Sequence, residues 1–194
     1  MRTKILTFAV LIISASAFGQ VENNSKDRNR FGVRAGLNYS NIIYGGDVDF
    51  KSKVGFSLGG TYNLVSGKKL TLPIELLYNK VGSSTEYADY NFSLMNINIM
   101  VNYYTSKNLF LEGGLVTGLY LSAKEEVKAT NSSNNILTND VTPVDVSIGL
   151  GIGYEFTNRT LVNIRYSYGV IPLFINDDNS SLLSNLSLNF GYSF

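Results

Sequence analysis

Beyond residue 31 the chain alternates apolar and polar residues with a period of two. Successive side chains of a β-strand point to opposite faces, so this pattern predicts strands with one apolar and one polar face. Eight segments show it, at 33–40, 54–64, 70–78, 95–103, 109–121, 144–156, 162–168 and 186–194. They predict an all-β fold, an eight-stranded antiparallel up-and-down transmembrane β-barrel.

The connections between these segments alternate in length. Those after the second, fourth and sixth segments, at 66–68, 105–108 and 157–159, are short and turn-like. Those after the first, third, fifth and seventh are long, polar and irregular, and the longest runs over about 122–142. Short turns at one end and long loops at the other are typical of an outer-membrane barrel, with the turns in the periplasm.

The composition of the polar face predicts which face meets lipid. This face is mainly Gly, Ser, Asn and Thr, which suit the crowded lumen of a narrow barrel better than a water-exposed surface. A soluble barrel would instead place its apolar residues inside. Lys80 is the only charge within the strands on the apolar face, at the outer rim, where a long side chain can snorkel. We therefore expect apolar side chains to face the bilayer.

A sheet in lipid must close, because each unsatisfied backbone group there costs several kcal/mol. Pro73 removes one ladder hydrogen bond from the third strand, so we expect it near a bulge or at the periplasmic margin.

The charged residues of the strands fall on the polar face and predict an ion-pair network in the lumen. An Arg or Lys on the lipid face would cost about 2–4 kcal/mol at mid-bilayer, whereas buried charges are tolerated when paired. The predicted network is Arg34, Glu75, Glu112, Glu155 and Arg165, and Asp145 shares the same face. The alternative is a gated pore or proton path along the same residues.

Some apolar residues also fall on the lumen face of their strands. We expect them to fill space in the lumen, and they are Leu77, Phe110, Val116 and Tyr120.

Aromatic residues cluster near the strand ends, which predicts two girdles at the membrane interfaces. The alternative is that Tyr is simply a good strand former. The predicted periplasmic girdle is Tyr62, Tyr103, Tyr154, Phe156, Tyr192 and Phe194, and the outer girdle is Tyr39, Tyr78, Tyr166 and Tyr168.

The amino-acid composition restricts the kinds of ligand binding and catalysis that the protein can perform. Charged residues make up 16% of the 194 residues, against about 25% in a typical soluble domain. The net charge of +1 gives no basic field for nucleic acid. The sequence has no Cys and no His, so thiolate metal sites and His-dependent hydrolases are excluded. Asp47, Asp49, Asp177, Asp178 and Asn179 in the loops lack EF-hand spacing. We expect no metal, no cofactor and no enzymatic activity.

The first residues predict export. Arg2 and Lys4 precede an apolar run at 5–13, and small residues follow at 14–17, which is the layout of a secretory signal peptide. Cleavage is expected after Ala17 or Gly19. The predicted organisation is a signal peptide at 1–19, a flexible periplasmic segment at 20–30 and a barrel at 31–194.

Several short motifs resemble the PorT-like family of bacterial outer-membrane barrels, small barrels of the OmpA kind. The matching stretches are 75–78 with Gly82, 95–97, 112–114, Asp145 with 149–155, 165–169 and 191–194, whereas Asn98 departs from the expected Pro. The resemblance covers nearly the whole mature chain and implies an outer-membrane barrel whose relatives mostly lack a defined activity. The secretion role of the namesake is not carried over.

The end of the chain predicts how the barrel is assembled. Tyr192 and Phe194 alternate with small residues up to the last position, which is typical of the signal that barrel-assembly machinery reads. We expect an outer-membrane monomer in contact with lipid. Its leading role is structural or surface-interacting, through extracellular loops that contact an external partner. The alternatives are a narrow channel for small solutes and, less favoured, a secretion-associated factor or a lipid-modifying enzyme.

Overall fold

The computed structural model describes residues 31–45, 49–130, 132–136, 141–175 and 181–194. Its strands are β1 (Phe31–Ile43), β2 (Lys51–Ser66), β3 (Leu70–Ser84), β4 (Ala88–Tyr104), β5 (Leu109–Val127), β6 (Ser132–Asn135), β7 (Val144–Glu155), β8 (Thr160–Gly169) and β9 (Leu182–Ser193). Within these ranges no helix is long and apolar enough to cross a bilayer. The predicted signal peptide and lead-in segment lie outside the described residues.

Eight of these strands close into an antiparallel barrel. Chain neighbours pair around the sheet, β5 pairs directly with β7, and β1 pairs with β9 from Gly32↔Ser193 to Ile43↔Leu182. Each of the eight therefore has a partner on both sides, which satisfies the backbone groups that an open edge would leave unpaired. The predicted eight-stranded barrel is confirmed.

The polar face of every barrel strand points into the lumen. On β1, Arg34 and Asn38 are buried at 3% and 2% exposure, while Leu37 between them is 58% exposed. On β7, Leu150 is 65% exposed and Ser147 is buried. The predicted orientation, with apolar side chains outside, is therefore correct.

The connections 67–69, 105–108 and 156–159 lie at one end of the barrel, called here the short-turn end. At the opposite, long-loop end, one prediction was wrong. The connection after the third strand is a tight turn at 85–87, because β3 and β4 run on well past the predicted segments. Thr85 closes this turn, since its hydroxyl accepts from the amide of Ala88 at 3.0 Å and its own amide donates to the Ala88 carbonyl at 2.7 Å.

The longest connection is also more regular than predicted. β5 continues past Leu119, its last partner position with β7, to Val127. The short strand β6 then pairs with Lys124–Val127. At ~3.3 Å per residue this part of β5 is about 26 Å long. A sheet therefore extends beyond the barrel at the long-loop end.

Pro73 lies at a β-bulge near the short-turn end, as expected. Its partner on β2 is Asn63, where the register shifts before Val65. On the β4 side the ladder is interrupted between Thr71 and Ile74. The missing N–H of Pro73 therefore falls where the regular ladder is already broken.

Candidate functional site

Four charged side chains from four strands meet in the half of the lumen nearer the short-turn end, called here the lower lumen. Arg34 on β1 and Arg165 on β8 both contact Glu75 on β3, with N–O distances of 2.6 and 2.7 Å. The Nε of Arg165 also lies 2.7 Å from Oε1 of Glu112 on β5. All four are at most 4% exposed. Two positive and two negative charges thus balance one another in a single buried layer, called here the ion-pair layer.

Arg165 is the centre of this layer. Its Nη1 and Nη2 donate to the two carboxylate oxygens of Glu75 at 2.7 and 2.9 Å. Its Nε and Nη2 donate to the two oxygens of Glu112 at 2.7 and 3.1 Å. The planar guanidinium fork matches carboxylates in this way, which a lysine ammonium cannot reproduce.

Two asparagines complete the layer and were not predicted as members of it. Asn98 Nδ2 donates to Glu75 Oε2 at 2.9 Å, and Asn163 Nδ2 donates to Glu112 Oε1 at 2.7 Å. Both lie at positions of their strands that alternate with lipid-facing residues, and this alternation already predicted that they face the lumen. Their partners could not be predicted in the same way, because those depend on the register across the barrel.

A glycine provides the space for the Arg165–Glu112 pair. Gly151 on β7 is the direct register partner of Glu112 on one side and of Arg165 on the other. A Cβ added there would lie 2.6 Å from Glu112 Oε1 and 2.5 Å from the carbonyl oxygen of Ile164. The two charged side chains therefore meet across a position that tolerates no side chain.

The fifth residue predicted for the network, Glu155, lies at the short-turn end of β7. There it accepts a hydrogen bond from the hydroxyl of Tyr104 at 2.6 Å. The structure thus brings four of the five predicted residues together and places Glu155 beside the turn.

An apolar cluster that the sequence did not predict as a whole fills the part of the lumen nearer the long-loop end, called here the upper lumen, and the loops above it. It comprises Ile42, Val81, Phe92, Leu94, Tyr120, Ala123, Ile136, Val141, Leu173 and Leu183, all buried. We call this cluster the apolar plug. Phe92 in this cluster is 1% exposed, and its ring lies 5.6 Å from that of Tyr120. The sequence did contain evidence for this cluster, because Phe92 and Leu94 lie on the same strand face as Asn96, just before the predicted fourth segment.

Beyond the plug, a sheet formed by 51–53, 82–91, 124–127 and 132–135 projects from the barrel, and we call it the projecting sheet. Side-chain contacts brace it across strands. Lys128 Nζ lies 3.5 Å from Asp89 Oδ1 and donates to the Thr85 carbonyl at 2.6 Å. Tyr90 donates to Glu125 Oε1 at 2.9 Å. The exposed charges of this sheet, Lys51, Lys124 and Glu126 among them, carry both signs.

Two groups of the projecting sheet have shifted pKa values. A hydrogen bond to Ser84 holds the pKa of Asp89 below its ordinary value, and Lys53 and Lys128 act in the same direction. Burial, followed by the hydrogen bond to Glu125, raises the pKa of Tyr90 to about 12. Both shifts match the contacts that hold the sheet together.

The residues of the predicted girdles lie on the outer face, most of them near the strand ends, whereas Tyr78 is in the middle of β3. Their rings pair along the short-turn end, as in Tyr154–Phe156 and Tyr192–Phe194, with centroids 4.9 and 5.6 Å apart. Phe31 joins them at 4.8 Å from Tyr62 and was missed. At the other end, Tyr39, Tyr166 and Tyr168 are 40% or more exposed, and Tyr78 donates to Ser93 Oγ at 3.1 Å. Their role as interface anchors stays a prediction.

A closed antiparallel barrel with an apolar exterior and a polar lumen defines a protein of the outer-membrane β-barrel class. Residues 18–175 match the family described as outer membrane protein beta-barrel domain, and the chain belongs to that family. The predicted outer-membrane location is confirmed to this extent. No curated protein matches the sequence.

Solved structures show the same fold at low sequence identity. Neisserial surface protein A is 15% identical, with a TM-score of 0.60, and the match covers 84% of this chain and 97% of that one. Ail, the attachment invasion locus protein of Yersinia pestis, was solved with the heparin analogue sucrose octasulfate. It is 17% identical with a TM-score of 0.55, covering 86% and 99% of the two chains. At these identities the likeness shows the fold alone.

Proposed function

We propose that this protein is a non-enzymatic surface-interaction protein of the outer membrane, which contacts an external partner through the projecting sheet. The short-turn end then faces the periplasm and the long-loop end faces outward, as is usual for small outer-membrane barrels. The observation that carries the proposal is the projecting sheet itself. A barrel that only filled the membrane would not need strands extended and braced beyond it.

The bracing supports a binding role because it lowers the cost of recognition. Asp89 and Lys128 link β4 to the segment after β5, and Tyr90 with Glu125 links β4 to β5. Side chains presented on such a framework lose less conformational freedom on binding than those of a flexible loop.

The filled lumen favours surface binding over conduction. The ion-pair layer occupies the lower lumen and the apolar plug the upper part. A narrow channel is the second candidate, and the cavity between the two layers, about 40 Å³ in volume, is the observation in its favour. A continuous path would require both layers to open.

The remaining finer assignments stay predictions. The non-enzymatic assignment rests on the sequence, which has no His to serve as a catalytic base. Membership of the PorT-like family rests on the short motifs alone, and no secretion role is taken from it.

Charge reversal on the projecting sheet tests the surface role. Lys51 and Lys124 are exposed, and neither supplies one of the bracing contacts, so Lys51→Glu with Lys124→Glu should leave the fold intact. Immobilised heparin is a suitable first probe, because Ail was solved with a heparin analogue, and a panel of host-surface proteins follows. We expect cells that display the wild-type barrel to bind one of these probes, and the double variant to lose most of that binding.

The matched control reverses two exposed lysines at the short-turn end, Lys68→Glu with Lys107→Glu, and should bind like the wild type. Heat-modifiable migration on gels shows that each variant is folded. Equal binding by the projecting-sheet variant and the control would contradict the proposal. Steady conductance of the wild type in planar bilayers would favour the channel instead.

A further inference from the structure

One buried carboxylate in the lumen lacks a cationic side chain. Asp145 on β7 is 5% exposed, and its hydrogen-bond partner is Ser147 Oγ, which donates to Oδ2 at 2.9 Å. Among the described residues no Lys or Arg forms an ion pair with it. Arg34 and Arg165 are already balanced by Glu75 and Glu112. The lumen therefore carries one negative charge that its own side chains do not neutralise, and such a charge is costly to bury.

Asp145 lines the lumen cavity of about 40 Å³ that lies between the ion-pair layer and the apolar plug. A single water needs roughly 10–15 Å³ of such volume, so the cavity can hold one small ion together with a water. Gly118 lies beside two of the lining residues, because it is the register partner of both Asn96 and Asp145. A Cβ added at Gly118 would lie 3.0 Å from Leu94 and 3.2 Å from Asn96 Oδ1.

Several of the polar groups that line the cavity donate their hydrogen bonds to other partners, and two amide oxygens are left without a partner. Asn98 donates its amide to Glu75 at 2.9 Å, which leaves its buried Oδ1 without a partner. The Oδ1 of Asn96 is likewise buried and without a partner. The hydroxyls of Ser167 and Ser187 donate to backbone carbonyls. Arg165 also lines the cavity, but its Nε, Nη1 and Nη2 all donate to Glu75 and Glu112. The charge beside the cavity that has no ion-pair partner among the described residues is therefore the Asp145 carboxylate.

We propose that this cavity binds a small monovalent metal cation, Na⁺ or K⁺, with Asp145 as the charged ligand and Asn96 and Asn98 as amide ligands. Hard cations prefer carboxylate and carbonyl oxygens, and one positive charge completes the charge balance of the lumen. A divalent ion would leave an excess positive charge in the same place. The described residues include no group of three acidic, His or Cys side chains to offset it.

The test is the cation dependence of stability for the purified, folded barrel in detergent. Urea midpoints are compared in NaCl, KCl and choline chloride at equal concentration, since choline is too large for the cavity. A ligand that binds only the folded state raises the folded-to-unfolded ratio by about 100-fold at ~100 times its dissociation constant. We expect a higher midpoint in NaCl or KCl than in choline chloride for the wild type.

Three variants locate the effect. Asp145→Asn removes the charged ligand, and Gly118→Ala places a methyl against the Asn96 ligand oxygen while keeping the carboxylate, so both should lose the difference between the salts. Glu126→Gln removes an exposed carboxylate of the projecting sheet and should keep this difference. If Asp145→Asn does not fold, Gly118→Ala still decides the question.

Two results would overturn the proposal. One is a wild-type midpoint that is the same in all three salts. The other is a difference between the salts that survives in Gly118→Ala. The outcome is separate from the surface role, which the binding assay tests on its own.

Discussion

The ion-pair layer and the apolar plug occupy the same lumen but are held by opposite kinds of force. In the layer, Arg165 alone makes four hydrogen bonds to two carboxylates. In the plug, Phe92 and its neighbours are held by close packing of apolar surfaces. Ion pairs are directional and fail when one partner is lost, whereas apolar packing depends mainly on volume. The comparison predicts that the two regions respond differently to conservative substitution.

The largest expected effect is the loss of Glu75. Glu75→Gln leaves both Arg34 and Arg165 buried without their shared carboxylate. Removing one partner of a buried pair costs about 3–5 kcal/mol. Urea unfolding followed by far-ultraviolet circular dichroism measures the change, and Glu86→Gln at the exposed turn serves as the control, expected within about 0.5 kcal/mol. Equal midpoints for the two variants would show that the layer contributes nothing to stability.

A change that keeps the charge is expected to cost less but still be clear. Arg165→Lys retains a positive charge and loses the planar fork that reaches Glu75 and Glu112 together. A hydrogen bond between charged groups contributes about 1.5–3 kcal/mol, so we expect a loss of about 2–3 kcal/mol in the same assay. A loss below 1 kcal/mol would mean that charge alone holds the layer.

The matching change in the plug should be smaller. Leu94→Met keeps an apolar side chain of similar volume at another buried position of the plug, and substitutions of this type usually cost less than about 1.5 kcal/mol. The same urea assay measures it. If Leu94→Met were as harmful as Glu75→Gln, the distinction between the two regions would be wrong.

The smallest effect concerns pH and extends the comparison to the projecting sheet. The folded pKa of Asp89 is lowered from 3.8, so its contribution to stability is present above that pH and is lost as the pH falls through the folded value. The group is partly exposed, so we expect a loss of less than about 1 kcal/mol. The protection factors of the β3–β4 amides, which correct for the pH dependence of intrinsic exchange, should fall below pH 4 in the wild type and stay level in Asp89→Asn.

The barrel was predictable because its exterior pattern is local. Within β1 and within β7, the alternation of apolar and polar residues already shows which face meets lipid, and this does not depend on which strands lie beside them. Arg34, Glu75, Glu112 and Arg165 followed from the same parity, since charges must avoid lipid and find partners.

The sequence could not show how far along the barrel axis each lumen residue lies. Glu155 shares the parity of Glu112 but lies by the turn, since position along the barrel axis depends on register and tilt. The plug was missed because its members come from β1, β3, β4, β5, β9 and two loops. Each is an isolated apolar residue until closure brings them together. The tight turn at 85–87 was predicted as part of a long loop. Polar residues such as Ser83 and Ser84 are typical of loops, but they also occur in strands that extend out of the membrane, and here they belong to β3.

That turn makes the outer end of the molecule accessible to labelling. Glu86 and Tyr87 form its tip, and Tyr87 is 75% exposed, while Thr85 holds the strands together just below. A short epitope inserted between Glu86 and Tyr87 would stand clear of the lipid headgroups and leave the barrel strands undisturbed. Antibody staining of intact cells would then reveal which way the protein is threaded through its membrane.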